Sequence, residues 1–154
     1  MQEIVQGIAM PLFDRLAGES ASAEGGLLQT RQAVEASIRQ ELMQLLNTRA
    51  GVSVAAFLAA EAQATPYGLP DFAALSASSG QDRALLSTAI ARAIALFEPR
   101  LANVAVDVRA SVVHQSHVSL HIAADAKMHA ADRRMTFEMA LDASHSATLA
   151  GALQ

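Results

Sequence analysis

Three of the five histidines of the chain lie close together in the sequence, at His114, His117 and His121, and could bind a metal ion. Imidazole is a common zinc ligand, with Zn–N bonds of about 2.1 Å. However, His117 and His121 alternate with apolar residues as in a strand, and four residues at about 3.4 Å each place their Cα atoms roughly 13 to 14 Å apart. The chain also has no cysteine to supply a thiolate ligand. The spacing therefore predicts no metal site.

Four carboxylates, Glu61, Asp71, Glu98 and Asp107, are candidates for acid and base roles in hydrolysis. A glycosidase needs two carboxyl groups held about 5 to 10 Å apart, and the positions of these four in the sequence pair no two of them. The chain also lacks a G-x-S-x-G nucleophile elbow and the glycine-rich loops that bind phosphate. We therefore expect no catalytic residue and no cofactor.

Glu98, Pro99 and Arg100 place opposite charges on either side of a proline, where a helical pattern gives way to a strand pattern. Pro99 disfavours helical geometry in the residue before it. A carboxylate and a guanidinium fixed at such a corner can dock on a complementary pair of a partner. The same two groups can instead form a local ion pair, worth about 0 to 1 kcal/mol if exposed. The residues alone leave both interpretations open.

Two amphipathic helices are predicted before this corner, because apolar residues recur at spacings of three and four. The first begins after the N-cap Thr30 and the second ends near Glu98. Their apolar positions are Val34, Ile38, Leu42, Leu45 and Leu46 in the first, and Leu86, Ile90, Ala93, Ile94 and Phe97 in the second. Between them, residues 52–58 fit a strand or a helix equally. Two prolines beside Tyr67 and Gly68 predict a rigid turn suited to docking.

After Pro99 the period of the apolar residues changes from 3.6 to 2. Three alternating runs follow, at residues 104–108, 118–122 and 135–141. Their connections favour antiparallel neighbours, since a parallel pair needs a crossover of about a dozen residues or more. The predicted fold class is α+β, with N-terminal helices packed on one face of a three-stranded antiparallel β-meander.

The first 29 residues have a different composition from the rest of the chain. Apolar residues at helical spacing, interrupted by Pro11, predict two short helices over residues 1–16. The small and polar residues of 17–29 predict a flexible linker. A single α+β domain is expected over residues 30–154, since a chain of 154 residues fits one compact core.

Composition narrows the range of partners and locations. Eleven Lys and Arg residues against 15 Asp and Glu residues give a net charge of −4, and no block of basic residues occurs. Nucleic acid and anionic membrane surfaces are therefore not expected as partners. No apolar run reaches the roughly 20 residues of a membrane span, and residues 1–10 lack a signal-peptide pattern. We expect a cytoplasmic protein without membrane insertion.

Four short segments, in order along the chain, resemble the wedge-protein family of contractile tails. They are PLFDRL at residues 11–16, LLNTRAG at 45–51, YGLPD at 67–71 and EPRL at 98–101. The bacterial branch of this family, TssE, belongs to the baseplate of the type VI secretion system. Each segment is short, but their shared order and gaps make the resemblance specific. The family has also carried a lysozyme-like label, which no carboxylate pair supports here.

The resemblance implies a structural, non-enzymatic role in the baseplate, at the cytoplasmic side of the inner membrane on which the baseplate docks. Glu98, Pro99 and Arg100 are implied to dock on the helical core bundle of the larger wedge subunits. The sheet is implied to accept a strand from subunits of the contractile sheath, and so to link the wedge to the first sheath ring and nucleate its assembly. An open three-stranded sheet has two edges that can pair in this way. A cell-wall glycosidase and a homo-oligomeric interaction module stay open as alternatives.

Overall fold

The computed structural model describes residues 4–6, 28–110, 118–127, 132–141 and 147–149. Two long helices, α1 (Arg31–Asn47) and α3 (Gly80–Phe97), precede the strands of the main sheet. Between them lie the short helix α2 (Val54–Ala59) and one turn of 3₁₀ helix (Ala62–Ala64). The strands are β1 (Ile4–Gln6), β2 (Leu28–Thr30), β3 (Arg49–Ser53), β4 (Leu69–Asp71), β5 (Leu101–Ala110), β6 (Val118–Ala126), β7 (Arg133–Leu141) and β8 (Ala147–Leu149).

The main sheet is antiparallel, with strand order β5-β6-β7-β8. Val106 lies opposite Ile122, which lies opposite Phe137, so the three long strands are in register across the sheet. Along β6, buried residues alternate strictly with partly exposed ones, as a half-buried sheet requires. The predicted α+β class and the three-stranded antiparallel meander are confirmed, and the short strand β8 extends that meander by one strand.

Both predicted helices are present, and their ends follow from local chemistry. Helix α1 begins at Arg31, directly after Thr30. Helix α3 begins two residues before its first acidic residue, Asp82, whose backbone N–H donates to the Ser79 hydroxyl at 3.2 Å. This N-cap satisfies a backbone donor that has no partner within the helix. At the other end, Pro99 follows the capping residue Glu98 and prevents a further helical turn.

The core lies between the helices and one face of the main sheet. It is formed by aliphatic residues at the predicted helical spacings and by one side of each long strand. Its fully buried large side chains include Ile38 and Leu42 of α1, Ile90 and Ile94 of α3, Phe57 of α2, and Leu120 and Ile122 of β6. Burial of this single face leaves the opposite face of the sheet to polar residues.

The N-terminal prediction is wrong where the structure describes it. Residues 4–6 form a strand instead of a helix, and residues 28–30 form its antiparallel partner instead of a linker, with Ile4 opposite Thr30. β-Branched residues such as Ile4 and Val5 favour strands, and pairing outweighs a weak helical period in so short a segment. The other residues of the predicted helices and linker lie outside the described residues.

The ambiguous segment at 52–58 contains both structures. Strand β3 ends at Ser53, whose hydroxyl accepts a hydrogen bond from Ala56 N at 3.3 Å and so caps α2. Strand β3 also pairs in parallel with β4, a contact between segments about twenty residues apart. Of the predicted rigid turn, Pro66 and Gly68 precede β4 and Pro70 lies within it, so this turn is fixed to β3 by backbone pairing.

Candidate functional site

Glu98 and Arg100, on either side of Pro99, form a two-pronged salt bridge at the corner between α3 and β5. Arg100 Nε donates to Glu98 Oε1 at 2.7 Å, and Arg100 Nη2 donates to Glu98 Oε2 at 2.6 Å. The Glu98 side chain is only 4% exposed, and the Arg100 side chain is 13% exposed. Of the two interpretations left open by the sequence, the local ion pair is present, and it is buried.

Three further contacts hold this corner in place. Arg100 Nη1 donates to the hydroxyl of Ser37 on α1 at 3.1 Å, which links the corner to the first helix. At the end of β6, Lys127 N donates to Arg100 O at 2.8 Å, and Lys127 Nζ donates to Pro99 O at 3.0 Å. The corner is therefore tied to both a helix and a neighbouring strand, while the Pro99 ring stays exposed to solvent.

Tyr67 lies beside the corner, on the turn that leads into β4. Its ring meets that of Phe97, the last residue of α3, edge to face with centroids 5.1 Å apart. Partial burial raises the pKa of the Tyr67 hydroxyl above its usual value, and the charges of Glu41 and Glu98 raise it further. Tyr67 is nevertheless 38% exposed. A partly exposed aromatic side chain thus packs against Phe97, the residue that precedes the Glu98–Arg100 corner.

Gly68 fixes the position of Tyr67. Its φ of +111° lies in a region that side chains rarely adopt, and a Cβ placed there would lie 2.6 Å from the carbonyl oxygen of Thr48. The next residue, Leu69, donates its N–H to that same oxygen at 2.8 Å. Only glycine permits this close approach of the two backbones. The turn that carries Tyr67 is therefore rigid, as the sequence predicted.

The other candidate carboxylates each have a structural position. Asp71 Oδ1 accepts from Ala73 N at 3.0 Å within a turn. Asp107 pairs with Arg109 at 2.7 Å on the exposed face of the sheet, and Glu61 is exposed at the start of the 3₁₀ turn. Both oxygens of Glu98 are engaged by Arg100. Each of the four thus lies in a turn, at a helix cap or in a salt bridge.

Of the three clustered histidines, His121 is described, and His114 and His117 lie outside the described residues. His121 is on the outer face of β6, with its Nε2 3.7 Å from Oε1 of Glu138 on β7. Within the described part of the chain, no three His, Asp or Glu side chains are grouped so as to hold a metal ion. None of the helices described there has the length and apolar character to cross a membrane.

Sequence reasoning identified Glu98, Pro99 and Arg100 but missed Ser37 and Lys127. Ser37 is 63 positions from Arg100, and no local pattern connects them. One signal was present, because Ser37 adjoins the buried Ile38 on α1 and is itself half-buried. A polar residue beside the apolar stripe of a helix often marks a contact with a buried polar group.

The fold and the corner define a small α+β protein in which a salt bridge between Glu98 and Arg100 shapes the corner between α3 and β5. Residues 32–132 match the family model described as "Baseplate wedge protein gp25". Because this match spans well over half of the chain, the chain belongs to the gp25 baseplate wedge protein family. The resemblance found in the sequence is thereby confirmed.

Comparison with solved structures supports the fold independently. A chain in "The baseplate complex from the type VI secretion system" matches with a TM-score of 0.51 and 16% sequence identity. The match covers 71% of this chain and 94% of that chain. No curated protein matches this sequence. The family match identifies a baseplate wedge protein, and the solved structure shows a similar fold.

Proposed function

We propose that this chain is a non-enzymatic subunit of a type VI secretion baseplate, of the TssE type. In this proposal it links the larger wedge subunits to the first ring of the contractile sheath and nucleates sheath assembly. It acts in the cytoplasm, where the baseplate docks on the inner membrane. The observation that carries the proposal is the match of residues 32–132 to the baseplate wedge family. The similarity in fold to a chain of a type VI baseplate supports the choice of this apparatus.

In the proposal, Glu98, Pro99 and Arg100 dock on the helical core bundle of the larger wedge subunits. The buried salt bridge shapes the corner, because each charged group is already bonded within the chain. The exposed groups, the Pro99 ring and the Tyr67 side chain, then contact the partner. A preorganised surface of this kind loses little conformational entropy on binding. A rigid corner is therefore expected to bind a partner more tightly than two free charged side chains would.

Co-purification with co-expressed wedge subunits tests this docking. The variant Glu98→Ala with Arg100→Ala removes both members of the buried pair, so neither charge is left unpaired. A matched control exists in Asp107→Ala with Arg109→Ala, because this pair has the same sequence spacing and a 2.7 Å contact but is exposed. We expect the corner variant to weaken wedge binding about tenfold or more, or about 1.4 kcal/mol, and the control to leave it unchanged. A folded corner variant with undiminished binding would contradict the docking role.

A cell-wall glycosidase remains the alternative from a different functional class. Its test is the clearing of a suspension of purified murein, followed by turbidity. Clearing that is lost in Glu98→Gln would favour the glycosidase and contradict a purely structural role. We expect no clearing by either protein, since Arg100 engages both oxygens of Glu98.

Self-association is the third possibility. A stable dimer in light scattering that persists when wedge subunits are added would favour a homo-oligomeric module over the baseplate role.

A further inference from the structure

Lys127, which directly follows β6, is the only lysine of the chain, and the other ten of its 11 basic residues are arginines. Its backbone N–H donates to Arg100 O at 2.8 Å, and its ammonium nitrogen Nζ donates to Pro99 O at 3.0 Å. The first bond continues the pairing of β5 with β6 by one position beyond Leu101 and Ala126. The second holds the ammonium group against the corner, although Lys127 is exposed to solvent. Lys127 thus has a defined position beside Pro99.

The charge of Lys127 differs from those of the arginines at this end of the main sheet. Each of these arginines has a carboxylate partner within the chain: Arg100 pairs with Glu98, Arg133 with Glu35 and Arg134 with Asp125. Lys127 forms no ion pair with a described carboxylate, and its ammonium group is bonded to a neutral carbonyl. An ammonium group has three donors, and Pro99 O accepts from one. The other donors and the positive charge therefore remain for a partner.

Asp132 is the acidic residue that the register of β6 and β7 places across from Lys127. Ala126 lies opposite Arg133, so Lys127 and Asp132 occupy the next positions beyond the paired ends of these strands. In the described part of the chain no ion pair joins them, and Lys127 Nζ donates to Pro99 O instead. The side chain of Lys127 is thus held by the corner, and its charge lies where Pro99 is exposed.

We infer that Lys127 is a further docking residue of the corner, and that its ammonium group pairs with a carboxylate on the helical core bundle of the wedge subunits. This inference rests on the proposed function and adds to it a residue and the chemistry of its counterpart. Glu98 and Arg100 neutralise each other and are buried, so they present little charge to a partner, whereas the Lys127 ammonium group is exposed beside Pro99. An exposed charge of this kind steers association with a surface of opposite charge. The partner surface that fits is an acidic side chain next to an apolar contact for the Pro99 ring.

The single lysine provides a direct test. A carbodiimide joins an amine to a carboxylate as an amide, with the water lost in the reaction taken up by the carbodiimide, and it adds no spacer, so only groups in contact are joined. The full chain is treated with carbodiimide in complex with co-expressed wedge subunits, and mass spectrometry locates the amide. We expect a cross-link from Lys127 to an aspartate or glutamate of a wedge subunit. Lys127→Arg is the matched control, because it keeps the charge and the binding but its guanidinium does not form this amide.

Association kinetics provide a second readout. Lys127→Gln removes the charge, and we expect it to slow association with the wedge subunits several-fold at low salt and to make the rate less dependent on salt. Lys127→Arg should keep both the rate and its salt dependence. Arg109→Gln removes the same charge from an exposed position on the outer face of the sheet and should leave the association rate unchanged.

Three results would overturn the inference and leave the proposed function intact. They are an amide from Lys127 to a carboxylate of its own chain such as Asp132, a complex in which Lys127 is joined to no wedge carboxylate, and equal kinetic effects of Lys127→Gln and Arg109→Gln. If the unmodified chain bound no wedge subunit, the docking part of the proposed function would fail, and the inference with it.

Discussion

At the scale of single residues, burial decides what the Glu98–Arg100 salt bridge contributes. An exposed ion pair is worth about 0 to 1 kcal/mol, but removing one member of a buried pair leaves an uncompensated charge and costs about 3 to 5 kcal/mol. We expect Arg100→Ala to lower the free energy of unfolding by about 3 kcal/mol, measured by urea denaturation. Arg109→Ala, in the exposed pair with Asp107, should lower it by less than about 1 kcal/mol. Equal effects of the two substitutions would contradict the energetic importance of burial here.

The pKa of the Asp125 carboxylate can be measured at a single atom. Hydrogen bonds from Asn103 and Arg134 hold the pKa of Asp125 below its usual value, with Asn103 the larger cause. We expect Asn103→Gly to raise this pKa, because the hydrogen bond is lost while glycine still allows the φ of +50°. Arg134→Gln should also raise it, because Arg134 lowers this pKa through both a hydrogen bond and its charge. NMR titration of the Asp125 side-chain carboxyl carbon measures both shifts.

The same carboxylate affects stability in a defined pH range. Because its pKa is lower in the folded than in the unfolded state, its stabilising contribution is present above the unfolded pKa and is lost as the pH falls through the folded pKa. In the Asp125→Asn variant, the free energy of unfolding should therefore fall less steeply as the pH is lowered into the acid range. Its slope against pH near neutral should be unchanged. A steeper acid limb in Asp125→Asn would contradict this sign.

At the scale of secondary-structure elements, substitutions at two glycines distinguish the energetic cost of a steric clash from that of backbone strain. Gly51 and Gly68 both have positive φ, but a Cβ at Gly51 meets nothing within 4 Å, whereas a Cβ at Gly68 meets the Thr48 carbonyl at 2.6 Å. We expect Gly51→Ala to cost about 1 to 2 kcal/mol from strain alone. Gly68→Ala should cost more, at about 3 kcal/mol or above, since the clash adds to the strain. Thermal unfolding of the two variants provides the comparison.

The Gly68 substitution should also disturb the corner. Tyr67 would move with the backbone, so Gly68→Ala should change the fluorescence of this residue, which is the only tyrosine of the chain. Gly51→Ala should leave that fluorescence unchanged, and equal changes in the two variants would contradict a specific role of Gly68 in placing Tyr67.

The elements that the sequence predicted are those whose packing imposes a period. Helices α1 and α3 and the three long strands each bury one face, so their apolar residues repeat at 3.6 or 2 positions. Strands β1, β3, β4 and β8 have three to five residues, too few to show a period, and β1, β3 and β4 form through pairing with segments 18 or more residues away. The same difference between local and distant contacts applies to the site. The Glu98–Pro99–Arg100 corner is local in sequence, whereas Ser37 and Lys127, which contact it, are distant in sequence.

At the scale of the whole molecule, low charge and an asymmetric sheet fit a protein surrounded by neighbours. Charged residues make up 17% of the chain, below the average of about 25%. One sheet face is covered by helices, one edge is engaged by Ser87 and interrupted by a bulge, and in the described part of the chain residues 133–138 of β7 pair with a strand on one side only. The corner with Pro99 and Tyr67 lies where α3 meets β5. Two separate surfaces are thus available to join two kinds of neighbour, as the proposed link between wedge and sheath requires.

Weak electrostatic repulsion has a measurable consequence for the isolated chain. Its net charge of −4 at pH 7 falls to zero near the isoelectric point of 5.7, where repulsion between copies vanishes. Among the described residues, 133–138 of β7 pair with a strand on one side only, and a low net charge does little to oppose edge-to-edge association there. We expect light scattering to show a larger apparent mass at pH 5.7 than at pH 8. Thr136→Lys should reduce this increase, because a charge is introduced on β7, whereas Ala105→Lys on β5 should reduce it less. A chain that stays monomeric at pH 5.7 would contradict the view that its surfaces require neighbours.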